Sequence, residues 1–237
     1  MANLQFPTAL EQKTSNLWNG TTGLVQEGSA YIVTNPTAGT GIALGGATVT
    51  DDSSSAGKGQ ITPFLICQNG WSAANPSAKT VYPLYIKLIT TAVPTGVTTT
   101  GYYASFRLDN VTNKSSSANA ATLTQPSQNL NTSVSYQSGS TTVVGGVATS
   151  AMTSGGRLVA HALLNTVIPV VNDTYIFTFG DNAMTTNVLF GGTTARFNTY
   201  PMPPIAVAPG WSFQMDLFGA SMSGAPSYEF EYVYAER

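Results

Sequence analysis

PPIAVAPGWSFQMDLF, residues 203–218, is the stretch whose reading decides the fold. Ile205, Ala206, Val207 and Ala208 are β-capable. They run into Pro209-Gly210, a strong turn signal: Pro presets φ at the first central position and Gly accepts a positive φ at the second. Beyond the turn, Trp211, Phe213, Met215 and Leu217 alternate with Ser212, Gln214, Asp216 and Phe218. A period of two assigns the first set to one face, expected to be the core face, with Trp211 buried at its head. The run predicts a tight hairpin or a corner between two strands.

The same alternation recurs outward from this stretch. In 227–234, Tyr228, Phe230, Tyr232 and Tyr234 share one face, and Glu229, Glu231 and Val233 the other. In 102–109, Tyr102, Ala104, Phe106 and Leu108 oppose Tyr103, Ser105, Arg107 and Asp109, the pattern of a strand wet on one side. Residues 174–179, TYIFTF, form a strand on composition alone. Residues 81–90 form another, where Pro83 near the start suits an edge position. Shorter or weaker strands are expected at 29–35, 41–50, 61–68, 133–137, 141–144, 188–190 and 194–200. Residues 157–171, RLVAHALLNTVIPVV, read as strand or mixed, with two helical turns as the alternative. The polar segment 110–131 reads as an excursion with one short strand at 121–124.

Ten to twelve short strands between Gly-, Pro- and Thr-rich turns signal an all-β fold, an antiparallel β-sandwich or barrel. No linker divides the chain. One domain is expected over 27–237, preceded by an extended N-terminal arm, 1–26. Thr8-Ala-Leu-Glu11 resembles a capping box, so a helix of at most two turns is expected before Asn19-Gly20. Leu4, Phe6, Leu10, Leu17 and Trp18 are the arm's apolar anchors, placed to lie on its own domain or on a neighbouring subunit. Trp71, in the loop 69–77, is either a contact residue or a lid on the core.

Composition restricts function. Of 237 residues, 42% are apolar and only 8% charged, so Ser, Thr, Asn, Gln and Gly must cover the surface. Such a surface packs against neighbours without desolvating many charges. The net charge is −2 and the nine basic residues are scattered, so no phosphate-binding stripe exists and nucleic acid is not an expected partner. No apolar run reaches membrane-spanning length. The start MANLQFPTALEQK has no secretory pattern, which predicts synthesis in a cytoplasm. The single cysteine, Cys67, excludes an intrachain disulfide and reads as a buried thiol.

Catalytic chemistry finds little support. One histidine, His161, and one cysteine do not make a zinc site. His161 sits in an apolar run and reads as a core or interface histidine. Asp51-Asp52 and Asp181-Asn182 lack the spacing of a calcium loop and read as turns. No nucleophile elbow, paired-carboxylate cleft or phosphate loop is present. The expectation is a non-enzyme without a cofactor.

The run RFNTYPMPPIAVAPGWSFQMDLFG, 196–219, resembles the last strands of jelly-roll proteins on tailed-phage particles, where an apolar strand, a Pro-Gly corner and a Trp-led strand close the domain. Residues 82–109 and TYIFTF fit the same likeness. The resemblance implies a jelly-roll-like sandwich and a virion component made in the host cytoplasm. It implies a decoration or cement protein on the capsid surface, a homotrimer partnered by the major capsid protein. The alternative is a tail-fibre module that binds a receptor or surface glycan, with Trp71, Tyr102, Tyr103 and Tyr200 as stacking faces.

Overall fold

A computed structural model describes residues 21–43, 63–70, 79–93, 101–110, 124–145, 156–165, 169–180, 186–189, 195–219 and 226–237. It begins with a six-residue helix, α1 (Thr21–Gln26). The strands follow in chain order: β1 (Ala30–Thr34), β2 (Ile42–Ala43), β3 (Leu65–Asn69), β4 (Val81–Ala92), β5 (Tyr102–Asp109), β6 (Thr124–Gln125), β7 (Gln128–Asn129), β8 (Ser140–Val144), β9 (Arg157–Asn165), β10 (Thr174–Phe179), β11 (Thr186–Leu189), β12 (Arg196–Met202), β13 (Ser212–Gly219) and β14 (Ser227–Glu236). One sheet has the order β11-β12-β10-β4-β14-β1-β7, with β2 also on β14; the other runs β6-β8-β3-β13-β5-β9.

Eight of these strands form the frame. Taken alone, β1, β3, β4, β5, β9, β10, β13 and β14 give one sheet ordered first-eighth-third-sixth. The facing sheet is ordered second-seventh-fourth-fifth. This is the strand order of a jelly roll, two Greek keys folded into a sandwich. The remaining strands are additions. β6, β7 and β8 lie between the fourth and fifth frame strands in sequence, and β11 and β12 between the sixth and seventh. β12 lies parallel to β10 while β11 returns antiparallel to β12.

The aromatic alternation builds the core. Phe106 of β5 packs on Phe177 and Phe179 of the opposite sheet, at 5.1 and 5.4 Å between ring centroids. Tyr228, Phe230, Tyr232 and Tyr234 of β14 are all buried, as their shared face requires. The Oη of Tyr228 donates to that of Tyr102 at 2.7 Å across the sandwich, which satisfies two phenols far from water. Glu229 and Glu231 take the outer face, where Glu231 sits directly opposite Lys87 and pairs with it at 2.9 Å.

The Pro209-Gly210 turn is a corner. The Trp211 N–H donates to the Ala208 carbonyl at 3.0 Å, and Gly210 has a φ of 86°. That is a type II turn, and a side chain at its third position would be strained. Residues 205–208 make only an isolated bridge, Val207 to Val81, before the chain crosses from β12 to β13 in the facing sheet.

Several expectations need correction. Trp211 is half-buried and packs against the rim of the core, because it stands just before β13 begins. Its ring lies under the Arg157 guanidinium, 5.4 Å from the centroid. The outer faces of β5 and β13 are not wet: Ser105, Arg107, Asp109, Ser212, Gln214 and Asp216 are all buried. Pro83 does not mark an edge strand, since β4 lies between β10 and β14. It is tolerated because β10 pairs only with 85–89 and a register shift interrupts the β14 ladder beside Pro83. Residues 133–137 are irregular; of the strand expected at 121–124 only Thr124 is described, and it opens β6, while 111–123 lie outside the described residues. The last six residues of the span read as an arm are α1, whose Leu24 packs with Ala30 and Ala235. Residues 1–20 and 44–50 lie outside the described residues.

Candidate interaction surface

β9 is an outer strand of its sheet, paired only with β5 among the described residues. Its sequence, RLVAHALLN, is apolar on both sides. Ala162 and Leu164 turn inward and are buried. Leu158, His161 and Leu163 stand opposite Arg107, Ser105 and Tyr103, so they share the outer face. Leu158 is 48% exposed, Leu163 is 44% exposed, and His161 is also exposed. From Leu163 a row continues inward through Tyr103 to Phe218, whose rings stack at 5.6 Å.

Side-chain contacts fasten this edge at its two ends. The ladder to β5 shifts register twice, on either side of the central pairs. At its C-terminal end the Leu164 carbonyl accepts from the Tyr200 Oη at 3.1 Å. The Asn165 Oδ1 accepts from Arg196 Nη1 at 2.6 Å. At its N-terminal end Arg157 lies over Trp211. An exposed, apolar and well-fixed edge is what natural sheets avoid unless something pairs with it.

A second feature is a concavity of about 240 Å³ on the outer face of the other sheet, lined by Thr34, Asn35, Lys87, Ile89, Glu229 and Glu231 among others. Its polar groups face one another. Lys87 Nζ and the Tyr85 Oη both contact the Glu231 carboxylate, at 2.9 and 3.3 Å. The Gly39 N–H donates to Glu229. Asn35 accepts from the Phe230 N–H at 2.7 Å and donates to the Thr40 carbonyl at 2.8 Å. This hollow is knit together by its own contacts.

The expected site residues fare unevenly. Leu4, Phe6, Leu10, Leu17, Trp18 and Trp71 lie outside the described residues, as do Asp51-Asp52 and Asp181-Asn182. His161 is not a core histidine but an exposed residue of the β9 edge. Of the glycan-stacking candidates, Tyr102 and Tyr200 are buried, and Tyr103 is half-buried with Phe218 on its ring. Leu158 and Leu163 went unremarked in the sequence. Their signal was there: a strand that is apolar at successive positions needs cover on both faces.

Among the described residues no group of three His, Cys, Asp or Glu side chains is placed to hold a metal. The Cys67 thiol is fully buried, and burial pushes it up to about 11, against the weaker opposing effect of nearby Tyr232, Ser140 and Thr142 hydroxyls. It is therefore a poor nucleophile. Glu236, also buried, accepts from the Gly139 and Ser140 N–H groups at 3.0 and 3.1 Å and from the Ser138 hydroxyl. Its role is to fasten 138–140 to the last strand.

The fold is a jelly-roll-like β-sandwich whose β9 edge carries exposed apolar side chains and pairs only with β5 among the described residues. No family model, no curated protein and no solved structure matches the chain.

Proposed function

We propose that this chain is a structural virion component, a decoration or cement protein that binds the outside of a phage head as a homotrimer. The observation that carries the reading is the β9 edge: Leu158 and Leu163 are exposed on a strand that is outermost among the described residues, in a jelly-roll-like chain that has few charges. A protein built this way acts by associating. Its partner in this reading is the major capsid protein, and many equivalent weak contacts on a repeating lattice hold it through avidity.

The test is re-addition of the purified protein to heads that lack it. Binding is expected to saturate at a fixed ratio to the lattice and to change less than about threefold between low and physiological salt, where binding through many ion pairs falls steeply. Failure to saturate, or a steep loss with salt, contradicts the reading. The glycan-binding alternative has weaker support, because two of its four aromatic candidates are buried in the core.

A further inference from the structure

We propose that the hollow on the outer face of the eight-stranded sheet binds one neutral sugar ring, a polyhydroxylated ligand held by its hydroxyl groups. The proposal does not depend on the head-binding reading. The hollow is built on β1, β4 and β14, whereas the β9 edge belongs to the other sheet. It also uses none of the aromatic residues of the glycan alternative.

Strand register places the floor. Glu231 stands opposite Lys87 of β4 on one side and Thr34 of β1 on the other, and Glu229 stands opposite Ile89. These side chains therefore share one face of the sheet. The turn after β1 walls that face with Asn35 and Ala38.

Polar groups of both kinds meet there. An ionised carboxylate has about four lone-pair sites and an ammonium about three N–H donors. Glu231 accepts from Lys87 and Tyr85, and Glu229 accepts from the Gly39 N–H. Those contacts use only part of the capacity, so acceptors on two carboxylates lie beside donors on Lys87. Thr34 is exposed next to them and adds a hydroxyl. A sugar hydroxyl is donor and acceptor at once, so neighbouring ring hydroxyls match this array.

Charge and size narrow the ligand further. An anion would be set against two carboxylates, and like charges brought together are costly. A cation would face Lys87 and compete with it for Glu231. A neutral ligand leaves the Lys87–Glu231 pair intact at 2.9 Å. Ile89 is half-buried in the floor and offers the C–H face of a ring an apolar surface to cover. The volume of about 240 Å³ lies below the roughly 300–1,000 Å³ of sites for drug-sized ligands, which suits one ring rather than an oligosaccharide.

The site is formed in advance. Lys87 and Tyr85 hold Glu231 between them. Asn35 is tied to the Phe230 N–H at 2.7 Å and to the Thr40 carbonyl at 2.8 Å, which fixes the wall. Side chains already held in place lose little freedom when a ligand arrives.

Amide-resolved NMR of the isotope-labelled protein tests this. The probes are the methyl glycosides of glucose, galactose, mannose and N-acetylglucosamine, added one at a time. At least one is expected to shift the Gly39 and Phe230 amide signals saturably, with a Kd on the order of 1 mM. Lys87→Met and Glu229→Ala should each weaken that binding about tenfold or more, the scale of one lost hydrogen bond to a charged group. Thr34→Trp changes an exposed position, so it leaves the fold in place; it should abolish binding by filling the hollow. Inorganic phosphate and methylammonium are the charged probes. Saturable binding of either at these amides in place of the glycosides would overturn the proposal, as would no saturable response to any glycoside. Equal affinity in the parent and in Thr34→Trp would put the sugar elsewhere on the surface and overturn it too.

Discussion

The Nε of Arg107 lies 2.8 Å from the Oδ2 of Asp216, and both side chains are almost wholly out of water, at 2% and 1% exposure. The pair bridges neighbouring strands β5 and β13 on the outer face of their sheet, where Ser105 also donates to Asp216 at 3.4 Å. Removing one partner strands a buried charge. Asp216→Ala is expected to cost about 3–5 kcal/mol, while a matched apolar replacement of both residues should recover most of that loss. Denaturant unfolding of the two single variants and the double variant measures this. A single variant within 1 kcal/mol of the parent, as for a solvated pair, contradicts the buried assignment.

Trp211 is a rim residue with a cation over its ring, not a core residue. Full core truncation of a large aromatic costs about 3–5 kcal/mol, so the half-buried Trp211→Ala should cost about 2 kcal/mol. Arg157→Ala should cost less than 1 kcal/mol, the usual size of an exposed cation–π contact. Indole fluorescence offers a parallel readout: the Arg157 variant should shift it toward the red. A cost above 4 kcal/mol for Trp211→Ala would mean the ring lies inside the sandwich.

Burial, in each case the leading cause, lifts the phenols of Tyr102, Tyr175, Tyr228, Tyr232 and Tyr234 well above their ordinary value. The native state therefore holds these protons more tightly than the unfolded chain does. Their contribution to stability is complete below about pH 10, where unfolded tyrosine begins to ionise. It declines as the pH rises above that point. Alkaline titration should show tyrosinate absorbance from this group appearing in one step with the loss of β structure. Gradual ionisation of all eleven tyrosines with the sheets intact would contradict it.

The Cys67 thiol, pushed up to about 11 chiefly by burial, should ignore a disulfide reagent at about pH 8. Labelling should follow global unfolding, slowing in step with added stability and accelerating in denaturant. Reaction of the native protein at the rate of a free thiol would show that β3 opens locally.

The sandwich was legible because its core strands carry period-two aromatics. Tyr228 to Tyr234 and Tyr102 to Leu108 each named their buried face correctly, apart from Leu108, which is only partly buried, and TYIFTF was read as the strand it is. The sheet order was not legible from local pattern, since it resides in pairings such as Ala30 with Ala235, two hundred residues apart. Period two also misled in one respect. It made the Ser105, Arg107 and Asp109 face of 102–109 the wet side of a strand, whereas that face is buried and Arg107 is ion-paired there with Asp216. Of the two readings of His161, core or interface, the core one fails: among the described residues β9 is an outer strand, and His161 stands exposed on the same face as Leu158 and Leu163. The arm's apolar residues, Leu4 to Trp18, lie outside the described residues.

The most direct measurement of the central claim is electron microscopy of purified particles labelled with an antibody to this chain. The account predicts label distributed over the head surface at a regular spacing set by the capsid lattice. Label confined to a tail tip, or none on intact particles, would contradict it.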